Sequence, residues 1–321
     1  MPPKVSVVIP SYNHAAYIRR AAESVLAQTL ADLELIIVDD GSTDDSLQVL
    51  AGIADRRMTV AAQENRGAHA AINRGLGMAR GAYLSILNSD DAYHPERLAC
   101  LTAVLEADPS IGLAGSYITV MGAGGKFLGV KQGYANLSPW ELPHPERSFR
   151  AGDDLHAALL AENYFATTSN YVFPRAAWQQ AGDFLPLRYA HDWDFALRVA
   201  RQYRLHLQPE PLMEYRVHPG NTIRENKAAM VFEICWVLAR HLPHTPADPA
   251  RLLHSIYTFG CDRVLNALLA RSLHADDRLS LALLQRDNPE RQVYLAHIRD
   301  CLDHQPPAAE SLWQKMKGWL K

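Results

Sequence analysis

Four apolar runs in the first hundred residues each end in a polar cluster, and each is followed by a helical stripe. The runs are VSVVI (5–9), LELIIV (33–38), MTVAA (58–62) and AYLSIL (82–87). Between the first two, Tyr17, Ile18, Ala21, Val25 and Leu26 recur at helical spacing within Ala15–Gln28. Further helices are expected over 46–54, over 68–79 with an Arg80-Gly81 stop, and from Pro95 onward. Strands that alternate with helices imply a parallel sheet covered on both faces, an α/β fold.

That order gives the polar clusters their meaning. Pro10-Ser11-Tyr12-Asn13, Asp39-Asp40-Gly41-Ser42, Gln63-Glu64-Asn65-Arg66-Gly67 and Asn88-Ser89-Asp90-Asp91 all fall at the C-terminal ends of strands. In an open α/β sheet the ligand crevice lies along that edge. Any one cluster, taken alone, reads equally well as a turn or a helix cap; four on one edge point to a site. The first turn, IPSYNH, has no GxGxxG, and no GxxxxGK[ST] occurs in the sequence, which excludes a dinucleotide fingerprint and a P-loop. Tyr12 offers a flat ring that can stack on a base or pack half-buried.

Composition narrows the class further. With 321 residues, 48% hydrophobic and 21% charged, the chain is long enough for one large domain or two. A formal net charge of -3 without a basic run argues against nucleic acid as partner. Cys100, Cys235, Cys261 and Cys301 form no CxxC pair and read as reduced thiols. A strand-like run begins by Val5, leaving no space for a signal peptide, and no segment approaches a membrane span. The expected location is cytoplasmic.

Adjacent carboxylates at a strand end, as in LNSDDAYHP (87–95), repel each other unless a cation sits between them and a substrate. Mg²⁺ is usually held by one or two carboxylates, with substrate phosphates completing its shell. Here the residues carry a resemblance. VSVVIPSYNHAAYIRRAAESVLAQT, LELIIVDDGSTDDS, QENRGAHAAINRGLGMARGAYLSILNSDD and YAHDWDFALRVA, in that order over roughly 4–220, resemble glycosyltransferase family 2 with its GT-A fold. The resemblance implies a nucleotide-sugar site in the first half, with Pro10, Tyr12 and Asp40 at the base, Asn65 and Gly67 beside them, and Asp90 at the ribose. It implies Asp91 as a ligand of Mg²⁺ or Mn²⁺ bridging the diphosphate. Asn88 stands where the family often has a carboxylate and is not assigned to the metal.

Transfer of a sugar to a hydroxyl needs a group to take the acceptor's proton. In HDWDFALRVARQY (191–203) Phe195, Ala196, Val199 and Ala200 make an apolar helix face, which places Asp192 near the N-terminal end as either base or cap. The resemblance makes Asp192 the base, acting with inversion. His191 replaces the commoner Glu there, and Asp194 binds acceptor or packs. Family members with YRxH stretches bring that histidine to the metal or diphosphate, which adds His218; a solvated loop histidine is the alternative. Thr167, Thr168, Ser169 and Asn170 either line the acceptor pocket or satisfy local hydrogen bonds. The QxxRW motif of processive synthases is not visible, so a single-sugar transferase is expected.

From Ala228 the pattern is helical. Expected divisions are a catalytic domain over 1–225, with a nucleotide-sugar half (1–120) and an acceptor half (121–225), and a helical extension over 226–321 suited to packing on the catalytic domain, to binding a partner or to homodimerisation. In the final SLWQKMKGWLK, Leu312, Trp313, Met316, Trp319 and Leu320 share one helical face. That face suits either a membrane interface, at the inner face of the membrane, or packing on the protein itself. The sequence thus leads to an inverting, metal-dependent glycosyltransferase using a UDP-linked sugar and a glycan or lipid-linked acceptor. A noncatalytic nucleotide-sugar or glycan-binding protein, and a nucleotidyltransferase, remain the alternatives.

Overall fold

A computed structural model describes residues 2–132, 135–136, 155–222, 225–244 and 262–303. The four expected strands form β1 (Val5–Ser11), β2 (Leu33–Asp39), β3 (Met58–Ala62) and β4 (Tyr83–Ile86). They alternate with α1 (Ile18–Leu26), α2 (Ser46–Ala51), α3 (Ala68–Met78) and, after the short β5 (Ala92–Tyr93), α4 (Arg97–Ala107). There follow β6 (Ile111–Gly122), β7 (Phe127–Gln132), β8 (Ala135–Asn136), α5 (Leu155–Ala161), a 3₁₀ turn at Thr168–Asn170, β9 (Val172–Pro174), α6 (Arg175–Ala181), α7 (His191–Ala200) and β10 (Arg204–Val217). The described extension comprises α8 (Lys227–His241), α9 (Asp262–Ala270), α10 (Asp277–Ala282) and α11 (Pro289–Asp303).

One sheet runs in the order β3-β2-β1-β4-β9-β6-β10-β5, with β7 on β6 and β8 on β7. The first four strands are parallel, as their βα alternation requires. The second half is mixed: β9 is antiparallel to both β4 and β6, while β6 and β10 are parallel. The β6–β10 register is irregular around Gln208–Met213, where Pro209 and Pro211 have no N–H for the ladder.

Alternation along β1 sorts the core into two layers. Val5, Val7 and Ile9 face α1 and α4 with Leu35, Ile37, Leu98 and Leu101. Val8, Ile36 and Val38 face the other way, towards α3 and α7. Gly75 lets α3 approach β1, since a Cβ there would lie 2.3 Å from Val8 Cγ1. The second layer continues through Phe195, Phe232, Trp236, Leu265 and Ile298, so one hydrophobic core crosses residue 225 and joins the sheet to the extension. Each such fully buried large side chain contributes about 1.5–3 kcal/mol by leaving water. Among the described residues no helix is long and apolar enough to cross a membrane. Residues 311–321 lie outside the described residues.

Candidate active site

The C-terminal ends of β1, β2 and β4 and the loop after β3 open onto a cleft of about 1520 Å³. This is larger than the roughly 300–1,000 Å³ usual for a single small ligand. Pro10, Tyr12, Asp40, Asn65, Gly67, Asp90, Asp192 and His218 all line it. Tyr12 is 45% exposed, its ring free to meet a ligand. Asp40, in contrast, is buried and works inward. Its Oδ1 accepts hydrogen bonds from Gln63 Nε2 (2.8 Å) and the Arg66 N–H (2.9 Å), and its Oδ2 accepts one from the Gly67 N–H (2.8 Å). The carboxylate therefore shapes the Asn65–Gly67 loop at the start of α3. Gly67 has φ +90°, a backbone region that side-chain-bearing residues rarely adopt.

Asp90 and Asp91 part company at the end of β4. Asp91, expected to hold a metal, does not reach the cleft: it is 2% exposed, and both its oxygens are taken. Its Oδ2 accepts from Ser169 Oγ (2.6 Å) and its Oδ1 from the Arg216 N–H (2.9 Å). Burial, then the neighbouring Asp90, pushes the Asp91 carboxyl well above the usual range. The chain turns after β4, with the Asp91 N–H bonded to the Asn88 carbonyl (3.1 Å), and Asp90 in that turn is the carboxylate that lines the cleft. Its Oδ2 lies 2.9 Å from His218 Nε2. Of the two carboxylates, Asp90 and not Asp91 is therefore the one placed in the cleft where a cation could be held.

His14, which sequence reasoning passed over within IPSYNH, completes the group. His14, Asp90 and His218 offer ligand atoms within 4.8 Å of one another. His14 directly follows the first strand-end cluster, Pro10-Ser11-Tyr12-Asn13, which is the signal that could have found it. Its Nδ1 lies 2.6 Å from Ser89 Oγ, and burial lowers its pKa, which favours the neutral imidazole a metal needs. Two imidazoles and a carboxylate fit Mn²⁺ better than Mg²⁺, which prefers an all-oxygen shell. Tyr17 packs against His218 with ring centroids 5.0 Å apart, and the Arg216 guanidinium lies over Tyr17 at 5.3 Å.

Asn88 has a structural task. Its N–H donates to Ser169 Oγ (2.9 Å), its Nδ2 donates to Thr167 Oγ1 (2.9 Å), and its Oδ1 accepts from Thr168 Oγ1 (3.0 Å). These bonds lock the strand-end loop to the 3₁₀ turn. Thr167 and Thr168 also line the cleft, whereas Ser169 and Asn170 are fully buried.

Asp192 enters the cleft from the first turn of α7. Its Oδ2 accepts from Asn163 Nδ2 (2.9 Å) and its Oδ1 from the Trp193 N–H (2.7 Å), while Tyr171 Oη donates to its backbone carbonyl (2.9 Å). Burial raises its carboxyl from 3.8 to about 6. That places it near the operating range of a general base. His191 beside it is lowered to about 4 by burial and stays neutral, so it adds no charge to the cleft. Asp194 packs, and does not line the cleft. It is held between Arg198 Nε (2.9 Å) and His241 Nε2 (3.0 Å), tying α7 to α8.

The extension reaches the same cleft. Glu233 of α8 accepts N–H bonds from Arg188 (3.0 Å), Tyr189 (2.7 Å) and Ala190 (3.2 Å), the residues just before α7. Leu284, Arg286, Arg291, Gln292, Leu295 and Arg299 also line the cleft.

Comparison with known proteins agrees with this architecture. The family profile "Glycosyl transferase family 2" matches residues 6–159. An uncharacterized glycosyltransferase of Haemophilus influenzae is 30% identical over 227 residues, 68% of this chain and 67% of its own length. The chain spans about two thirds or less of the length of the curated relatives it matches. Among solved structures, S. aureus TarS 1-349 in complex with UDP-GlcNAc superposes with a TM-score of 0.61 at 19% identity, over 94% of this chain and 82% of that one. The mannosyltransferase PcManGT of Pyrobaculum calidifontis, in complex with GDP-Man and Mn²⁺, gives 0.54 at 20% identity, over 98% of this chain and 88% of that one. Both likenesses concern the fold. The profile match spans all four strand-end clusters, the Haemophilus influenzae relative extends the likeness over two thirds of the chain, and the chain belongs to glycosyl transferase family 2.

Proposed function

We propose that the protein transfers a single sugar from a nucleoside-diphosphate sugar, UDP-linked, to a hydroxyl of a glycan or lipid-linked acceptor, with inversion at the anomeric carbon. The observation that carries this reading is a raised, buried carboxylate, Asp192, sharing one cleft with the Asp90–His218–His14 group. The complexes of TarS with UDP-GlcNAc and of PcManGT with GDP-Man, on a similar fold, support a nucleotide-sugar donor, and the strand-end edge of the sheet is where such a ligand would lie.

In this reading Tyr12 stacks on the base, and backbone at Pro10 and the Asn65–Gly67 loop shaped by Asp40 surrounds the nucleotide. Asp90, His218 and His14 would hold Mn²⁺ or Mg²⁺, the latter being the poorer fit. When bound, the ion supplies positive charge against the leaving diphosphate. Asp192 Oδ atoms accept the acceptor hydroxyl's proton as that oxygen attacks the anomeric carbon from the face opposite the leaving group. Asn163 and the Trp193 N–H keep the carboxylate oriented. Residues 1–225 would carry the donor chemistry, and the extension would complete the acceptor side.

The test is product analysis with UDP-, GDP- and dTDP-sugars and a mixed glycan acceptor pool. Release of free nucleoside diphosphate with sugar transfer is the expected result. Release of pyrophosphate would establish a nucleotidyltransferase instead, and binding without either product would establish a noncatalytic binder.

A further inference from the structure

Resting on the transferase reading, we propose that the extension forms an acceptor subsite built for an anionic acceptor, one that carries phosphate or carboxylate groups. The cleft exceeds what one nucleotide-sugar fills. The strand-end residues occupy one part of its lining, and the part contributed after residue 225 has a different character. That part carries Arg286, Arg291 and Arg299 against a single carboxylate, Glu233.

Glu233 cannot neutralise three cations. Its two oxygens already accept the three N–H groups of Arg188, Tyr189 and Ala190, and of the three arginines it attracts Arg291. The other acid on that side, Glu225, is committed to Arg188 at 2.6 Å. Asp287 and Asp300 adjoin Arg286 and Arg299 in sequence but do not line the cleft. Among the described residues neither Arg286 nor Arg299 has an ion-pair partner, and both side chains are exposed to the cleft.

Arg291 gives the independent observation. It is only 9% exposed, its Nη1 donates to the Leu284 carbonyl (3.2 Å), and its guanidinium lies over the Phe232 ring at 5.5 Å. Yet its Nε is buried without a hydrogen-bond partner. A guanidinium that lines the cleft, is almost out of water and is held at one end is a place where an oxyanion gains more than it would from a surface arginine. Arg291, Leu295 and Arg299 follow at i, i+4 and i+8 on one face of α11. The helical rise sets the two cations about 12 Å apart along the axis with Leu295 between them. Such spacing addresses separated charges on an extended chain better than one diphosphate.

The test is calorimetric titration of the full chain, saturated with UDP and Mn²⁺, using three probes: short-chain inorganic polyphosphate, oligogalacturonate and neutral maltoheptaose. The expected result is that an anionic probe binds and maltoheptaose does not. The double variant Arg286→Ala/Arg299→Ala, at exposed positions and checked for an unchanged circular dichroism spectrum, should weaken that binding about tenfold or more. Which anionic probe responds separates phosphate from carboxylate recognition. The inference is overturned if neither anionic probe binds, if maltoheptaose binds as well, or if the double variant leaves affinity unchanged. It is also overturned if the variant weakens UDP binding instead, since the arginines would then serve the donor. Asp192→Asn should retain probe binding, so a failure of the base assignment registers as unchanged turnover in that variant and not in these titrations.

Discussion

Replacing Asp192 with asparagine should make the protein more stable and nearly inactive. In the fold its carboxyl is raised from 3.8 to about 6 by burial, equivalent to about 3 kcal/mol disfavouring the charged form. The sign follows from proton linkage. Between pH 3.8 and 6 the folded state binds more protons than the unfolded one, so the penalty is absent below that window, grows through it and is full above pH 6. Asparagine carries no charge but puts an NH₂ where one oxygen accepts from Asn163 or Trp193, forfeiting a hydrogen bond to a charged group, about 1.5 kcal/mol. The net gain at pH 7 is then about 1.5 kcal/mol, or about 2 °C in Tm for a chain of this size. Loss of a general base lowers transfer by about 100- to 10,000-fold. Differential scanning calorimetry and nucleoside-diphosphate release, measured on one preparation at pH 7, test both effects. Wild-type turnover in the variant would remove Asp192 as the base. Lost turnover with Tm lowered by several degrees would show that Asp192 is chiefly a structural cap of α7.

Three further outcomes follow from the same geometry. The rate of transfer should rise with pH along a limb centred near pH 6, where Asp192 gives up its proton, and a flat profile from pH 5 to 8 would contradict that. Asp91→Ala should destabilise the fold by about 1–3 kcal/mol for each buried donor it strands, at Ser169 and Arg216, as read by urea unfolding. Asp194→Ala leaves Arg198 and His241 without their shared partner and should cost about 3–5 kcal/mol, read in the same way, with the bridge between α7 and α8 lost.

The strand-end half was legible because βα alternation is a local pattern and strand-end clusters fall on a fixed edge of the sheet. MTVAA and LELIIV became strands within a residue of where their composition placed them. What was not legible was the direction of single side chains. Nothing in Asn88-Ser89-Asp90-Asp91 reveals which carboxylate turns inward, because the choice is made by Ser169 and Arg216, far along the chain. His14 was hidden by its ordinary place after a turn. The far side of the cleft was hidden by distance: Arg291 and Arg299 sit on α11 and Arg286 in the turn before it, their charge pattern reads as a solvated face, and only tertiary packing of α11 against α8 brings them to the cleft. Glu233 is similar, a lone acid in an apolar helix whose partners are backbone N–H groups on another element.

The central claim is that Asp90, with its two histidines, makes this cleft a metal-dependent donor site. Calorimetric titration of UDP into wild type and Asp90→Asn, each with and without Mn²⁺, tests it most directly. The account predicts UDP binding that Mn²⁺ strengthens in the wild type and does not strengthen in the variant, with a matching rise in thermal stability, about 2.7 kcal/mol at a ligand concentration 100 times Kd. Equal Mn²⁺ enhancement in Asp90→Asn, or UDP binding indifferent to Mn²⁺ in the wild type, would contradict it.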